Sequence, residues 1–228
     1  MKAIALDIDG TITHADRRLD LEAVRAIRKV EDNNIPVILA TGNVLCYSKT
    51  TSTLVGTSGP IIAEDGGIVY DKEGDEEYLL GGLDEVEKGI TILEERFTNL
   101  KHSNTSKERK AGRVLQKTID PEVINQVFQK EGLDLIAVDS GFAIHIKTPN
   151  VSKGNALDKA CEILDCSISE IIVMGDGKND TEMLEKADHS YAPSNAHKDV
   201  KKSAGQVTEG SYGKGVKEMV EKVTNLDF

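Results

Sequence analysis

Three times along this 228-residue chain a short, almost unbroken apolar run stops at a turn carrying acids, glycine or a hydroxyl. Lys2–Ile8, with Ile4, Leu6 and Ile8 spaced by small Ala3 and Ala5, runs into Asp9-Gly10-Thr11. Ile35–Ala40 runs into Thr41-Gly42-Asn43, and Ile171–Met174 into Gly175-Asp176-Gly177. Apolar runs this short and without alternation fit strands buried on both faces, the habit of a parallel sheet sandwiched between helices. Pro60–Ala63 reads as a further such strand, ahead of Asp65-Gly66-Gly67. Between the strands, Leu21, Val24, Ile27 and Val30 recur at helical spacing behind Asp20 as an N-cap, and a second helix is expected over Val44–Leu54. Strands and helices in this alternation predict an α/β fold, a doubly wound, Rossmann-like parallel sheet with right-handed crossovers.

The rhythm changes near Gly81-Gly82. Helices are expected over Leu83–Phe97 and over Pro121–Lys130, the latter opened by Asp120 with proline just inside. Residues 103–118 are polar and alternating, and strands Leu133–Val138 and Phe142–Lys147 flank a tight Asp139-Ser140-Gly141 turn. Hairpins with helices between them predict a small α+β domain at 82–151, inserted into a core made of 1–81 and 152–228. The insertion holds ten cationic and eleven acidic side chains, so nearly all the net charge of −11 lies in the core. After Ser152 the first rhythm returns, with helices expected at Lys153–Leu164, Asp180–Lys186 and Val216–Val223 and a short strand at Ser190–Ala192.

Composition removes several classes of function. With 28 Lys+Arg against 39 Asp+Glu, the surface repels nucleic acid and anionic membranes, and no partner of either kind is expected. Trp is absent and aromatics are 4%, which leaves no base-stacking platform. A small phosphorylated metabolite stays open, because a site can reverse the field locally. Cys46, Cys161 and Cys166 have neither disulfide nor zinc spacing and are read as small buried hydrophobes. No apolar run reaches the roughly 20 residues that span a bilayer, and the N-terminal run turns acidic at Asp7 before a signal core could form. A cytoplasmic protein, monomer or homodimer, is expected.

The chemistry gathers past the strand ends, where open α/β sheets bind ligands. Asp7 and Asp9 end one strand, Asp176 and Asp180 follow another, Thr41 follows a third, and Lys153 opens the helix after the insertion. Taken singly, each has a bland reading: a turn, a strand-to-helix junction, a helix cap or a solvated lysine. Together they fit one chemistry. Clustered carboxylates require a cation, and Mg²⁺ takes oxygen ligands completed by substrate phosphate. A hydroxyl and an ammonium hold phosphate oxygens, one aspartate attacks phosphorus and another moves the proton.

These motifs resemble the haloacid-dehalogenase-like superfamily of phosphotransferases. Asp7-Ile8-Asp9-Gly10-Thr11-Ile12 matches its first motif, Thr41 its second, Lys153 its third, and Gly175-Asp176-Gly177-Lys178-Asn179-Asp180 its fourth. The resemblance implies that Asp7 is the nucleophile and Asp9 the general acid and base, with Thr41 and Lys153 completing the catalytic set. It implies Mg²⁺ on Asp7, the Asp9 carbonyl, Asp176 and Asp180, with Asp180 instead orienting metal-bound water or the lysine as the other role open to it. Thr41, Gly42, Asn43, Lys153 and Asn179 are the implied phosphate-side contacts. Lys178 stands where the family usually has glutamate. The position of the insertion resembles the second cap type of the Cof-like branch, and its shortness resembles the archaeal phosphoglycolate phosphatases. The implied reaction is hydrolysis of a small phosphate monoester such as 2-phosphoglycolate. A sugar-phosphate phosphatase, a phosphomutase and a non-catalytic phosphate-binding module are the alternatives. Arg113, His145 and Lys147 are the insertion residues expected to meet the rest of the substrate, with His145 facing away from Ile144 and Ile146, and Tyr47 and Asn43 are expected at the cleft.

Overall fold

The computed structural model describes residues 1–141 and 143–224. In chain order the elements are β1 (Ala3–Asp7), α1 (Leu21–Glu31), β2 (Val37–Ala40), α2 (Leu45–Val55), β3 (Ile61–Ala63), β4 (Ile68–Asp71), β5 (Glu76–Leu79) and α3 (Asp84–Arg96). There follow β6 (Arg113–Leu115), α4 (Pro121–Glu131), β7 (Ile136–Asp139), β8 (Ile144–Lys147), α5 (Lys153–Ile163) and β9 (Ile171–Met174). The chain closes with α6 (Thr181–Lys186), β10 (His189–Ala192), α7 (Lys198–Ser203), β11 (Gln206–Val207) and α8 (Gly213–Thr224).

Eight strands form one sheet in the order β11-β10-β9-β1-β2-β3-β4-β5. Strand alternation divides its core. Ala3 and Ala5 of β1, with Ile38 of β2 and Val173 of β9, pack against α5, α6 and α7. Ile4 and Leu6, with Leu39 and Met174, point the other way onto α1 and α8. Both faces are covered, which is why the strands carry no polar alternation. Asp20 caps α1 as expected, accepting from Glu22 N–H at 2.9 Å.

The sheet is parallel only from β11 to β3; β4 and β5 extend it antiparallel. The doubly wound parallel core is as expected, and the antiparallel edge adds to it. Ile68-Val69-Tyr70 is too short a run to stand out, and β5 is mostly exposed Glu76-Glu77-Tyr78-Leu79. Cys161 is buried as expected, but Cys166 is half-buried and Cys46 exposed on α2.

A second, three-stranded antiparallel sheet, β6-β8-β7, lies between β5 and α5 in the chain. Ile144 and Ile146 of β8 pack with Val86, Leu93, Ile124 and Phe128 of α3 and α4 into a core of their own. Within the polar, alternating stretch 103–118, residues 103–112 are mostly irregular, and β6 begins at Arg113. Phe142, expected to open the second hairpin strand, lies outside the described residues, and that strand begins at Ile144.

Candidate active site

Register assembles the site. Leu6 pairs with Met174 and Asp7 with Ala40, so the loops after β1, β2 and β9 emerge side by side. In the loop Ile8–Ile12, Gly10 has φ +93°, and a Cβ there would stand 2.3 Å from Asp176 Oδ2. Only glycine fits both the turn and the neighbour. Thr11 Oγ1 donates to Asp176 Oδ1 at 3.0 Å, which ties the loops after β1 and β9 together, and Asn195 Nδ2, beyond β10, donates to the Gly10 carbonyl at 2.8 Å. Asp199, in the same stretch as Asn195, is exposed and pairs with Lys202.

Asp7, Asp176 and Asp180 each offer a carboxylate oxygen within 4.8 Å of the others. The buried Lys153 donates to Asp7 Oδ1 and to Asp180 Oδ1, both at 2.6 Å. Asp180 Oδ2 accepts from the N–H groups of Asp176 at 3.0 Å and Gly177 at 2.9 Å. Burial pushes Asp7 well above the usual carboxylate range, with Asp180 adding to it. Burial, and then Asp180, raises Asp176 to about 7. Lys153 is raised in spite of burial, because Asp180 and Asp7 hold its proton. Two buried carboxylates and a half-buried one therefore share one ammonium. That deficit of positive charge in an all-oxygen donor set fits a hard divalent cation such as Mg²⁺. With both Asp180 oxygens engaged, Asp7 and Asp176 have the more available ligand atoms.

The Asp9 carboxylate stands outside this cluster. It accepts from Arg17 Nε at 2.8 Å and Asn43 Nδ2 at 2.5 Å. The same Asn43 amide donates to the buried Thr41 hydroxyl at 2.9 Å, so Asp9 and Thr41 are linked through one side chain. Tyr47 does not line the cleft; the Arg17 guanidinium lies 5.7 Å from its ring centre. Arg17 itself was not legible from the sequence, where it stands in a polar turn.

A cavity of about 200 Å³ opens over these groups, lined on one side by Asp7, Asp9, Gly42, Asn43, Asp176 and Asn179. Its other wall brings Ser103, Thr105, Arg109, Val114, Ser140 and His145. His145 faces the cavity, opposite to Ile144 and Ile146, as strand alternation requires. Arg113 does not. It lies on the helix side of β6, hydrogen-bonded to Glu87 of α3, while its neighbour Val114 faces the cavity. Lys147 shares the face of His145 but is buried behind the lining, and burial lowers its pKa.

Asp65, not selected from the sequence, is a hub. It accepts from His145 Nδ1, from Asn179 Nδ2 at 3.1 Å and from Arg109 Nη2 at 3.5 Å. Glu64, Asp65 and Gly66 all have positive φ, and a Cβ on Gly66 would lie 2.0 Å from the Ser152 carbonyl. This tight loop is what seats the start of α5, and with it Lys153. The signal available was Asp65-Gly66-Gly67 after a buried strand, the same construction as Asp9-Gly10-Thr11.

The haloacid dehalogenase-like hydrolase model matches residues 4–97 and 84–220, both stretches that carry these motifs. The chain belongs to the haloacid dehalogenase-like hydrolases. Among curated members, it is 40% identical to a Methanosarcina mazei protein named phosphoglycolate phosphatase, over 96% of this chain and 95% of that one. It is 37% identical to one of the same name from Methanococcoides burtonii, covering 97% and 96%. A crystal structure from Thermoplasma acidophilum superimposes with a TM-score of 0.87 at 26% identity, covering 97% of each chain. A haloacid dehalogenase-like hydrolase from Bacteroides thetaiotaomicron shares the fold at TM-score 0.81 and 20% identity, covering 97% of this chain and 99% of that one. No helix among the described residues of this hydrolase is long and apolar enough to cross a membrane.

Proposed function

We propose that this hydrolase cleaves small phosphate monoesters through an aspartyl-phosphate on Asp7, with 2-phosphoglycolate as its substrate. The observation that carries the reading is the buried contact of Lys153 with both Asp7 and Asp180, beside Asp176. The Asp7 carboxylate attacks phosphorus as the P–O bond to the alcohol breaks, and Asp9 gives its proton to the leaving oxygen. Asp9 then takes a proton from water, which attacks phosphorus, releases phosphate and restores the Asp7 carboxylate. Lys153 and the Thr41 hydroxyl hold the transferring group, and Gly42, Asn43 and Asn179 lie on the phosphate side of the cavity.

Mg²⁺, held by Asp7, Asp176, Asp180 and the Asp9 carbonyl, would neutralise charge on the phosphoryl oxygens. Residues 82–151 act as a cap over the core formed by 1–81 and 152–228, closing the cavity to solvent. The names of the archaeal relatives and the small size of the cavity support a compact substrate.

Phosphate release from a panel containing 2-phosphoglycolate, hexose phosphates and p-nitrophenyl phosphate, with Mg²⁺ or with EDTA, tests this. The expected result is Mg²⁺-dependent turnover highest on 2-phosphoglycolate. A tenfold or greater preference for a hexose phosphate overturns the substrate. Conversion of hexose phosphates into isomers without phosphate release makes the chain a mutase, and no release from any ester makes it a binding module.

A further inference from the structure

The two walls of the cavity differ chemically. The sheet side presents carboxylates, and the opposite side presents Arg109 and His145 among small hydroxyls. Arg109 is buried yet incompletely bonded. Its Nη1 donates to the Gly42 carbonyl at 2.9 Å, its Nη2 reaches Asp65 only at 3.5 Å, and its Nε has no hydrogen-bond partner. A guanidinium offers five N–H donors in a planar fork, so Arg109 retains bonding capacity beside the cavity.

Two acids stand beside it, and neither satisfies it fully. Glu64 is occupied by the N–H groups of Lys110 and Ala111, and lies 3.9 Å from Arg109 Nε. Asp65 faces Arg109, Lys147 and His145 together. Burial would raise its pKa, but His145, then Lys147 and Arg109, hold it well below the usual range.

We propose that Arg109 is the specificity residue for a carboxylate at the end of the substrate remote from phosphorus, and that Asp65 is the positioning residue that holds Arg109 and His145 over the cavity. The inference rests on the phosphatase reading above and names the side chain that selects an acidic ester. A carboxylate matches the planar fork of the guanidinium. A neutral ester of the same size leaves those buried donors unpaired, which is the costlier error.

The test compares kcat/KM on 2-phosphoglycolate and on ethyl phosphate, which lacks the carboxylate, for the unaltered chain, Arg109→Met, Arg109→Lys and Asp65→Asn, all with Mg²⁺. The unaltered chain is expected to prefer 2-phosphoglycolate, and Arg109→Met to reduce that preference by about 30-fold or more. Arg109→Lys recovers part of it, because a point charge replaces the fork. Asp65→Asn lowers the same preference through KM for 2-phosphoglycolate. An unchanged preference in Arg109→Met, or in Arg109→Lys should the first variant not fold, overturns the assignment of Arg109. A fall in kcat on both esters alike in Asp65→Asn overturns its positioning role. An unaltered chain that cleaves both esters equally well also overturns the proposal and leaves the phosphatase reading standing. One that cleaves neither removes 2-phosphoglycolate as the substrate, the part of the earlier reading on which this proposal rests.

Discussion

Lys153 Nζ lies 2.6 Å from Asp7 Oδ1, and both side chains are buried. The same ammonium serves Asp180 at an equal distance. Removing it strands two buried acids without the cation they share. Lys153→Met is therefore expected to lower unfolding free energy by about 3–5 kcal/mol at neutral pH without metal, as breaking a buried pair does. Urea unfolding of the two chains measures this. A stability loss under about 1 kcal/mol would put the pair in the class of weak surface bridges.

Asp7→Asn separates chemistry from folding. Asp7 is pushed toward its neutral form by burial and by Asp180, so a neutral amide suits the metal-free site. The variant is expected to melt at or above the temperature of the unaltered chain in EDTA, yet to lose at least about 1,000-fold in kcat for want of a nucleophile. Thermal melts and phosphate release check both halves, and turnover near the original rate would remove Asp7 from its role.

How much of this was legible follows from what each residue does. Asp7, Thr41, Lys153 and Asp176 stand directly at the ends of buried strands or at a helix start, where apolar runs mark position to within a residue or two. Parallel register then brings the strand ends together with no further information. Arg109 and Asp65 come together only through contacts between the two sheets, across 44 residues, and no period encodes such a meeting. Arg113 was a fair chemical candidate on the wrong face: β6 is three residues long, too short for its alternation to be read before its pairing with β8 is known. The antiparallel edge escaped for a related reason, since an exposed strand such as β5 need not be apolar.

Metal and pH should be linked through Asp176. Its pKa of about 7 in the folded chain lies above that of an ordinary aspartate, near 3.9. Folding without metal therefore takes up a proton over that interval. The contribution to stability is fully present below about pH 4 and is lost as pH rises through about 7. In EDTA, the melting temperature of Asp176→Asn minus that of the unaltered chain should increase between pH 5 and pH 8. Mg²⁺, which competes with that proton, should stabilise the unaltered chain more at pH 8 than at pH 5. A difference that is flat with pH would contradict the raised carboxyl.

Gly10 is expected to tolerate no side chain. At φ +93° an alanine is strained, and its Cβ would meet Asp176 Oδ2 at 2.3 Å. Gly10→Ala should displace the Asp176 carboxylate and weaken Mg²⁺ binding by about 10- to 100-fold, the range seen when the support of a metal ligand is disturbed. Calorimetric titration with Mg²⁺ reads this directly. Unchanged affinity would mean that the loop relaxes without moving Asp176.

Asp9→Asn should divide the two half-reactions. Its carboxylate is held by Arg17 and Asn43 rather than by the acidic cluster, so its loss leaves Asp7 and Lys153 in place. A p-nitrophenolate leaving group needs no proton, whereas an alkoxide does. With p-nitrophenyl phosphate the variant should still form the aspartyl-phosphate but lack the base that activates water. Rapid mixing should then show a burst of about one p-nitrophenolate per chain followed by a slow phase, and no burst should appear with alkyl esters. Equal slowing of both ester classes with no burst would mean that Asp9 serves the site through structure and moves no proton.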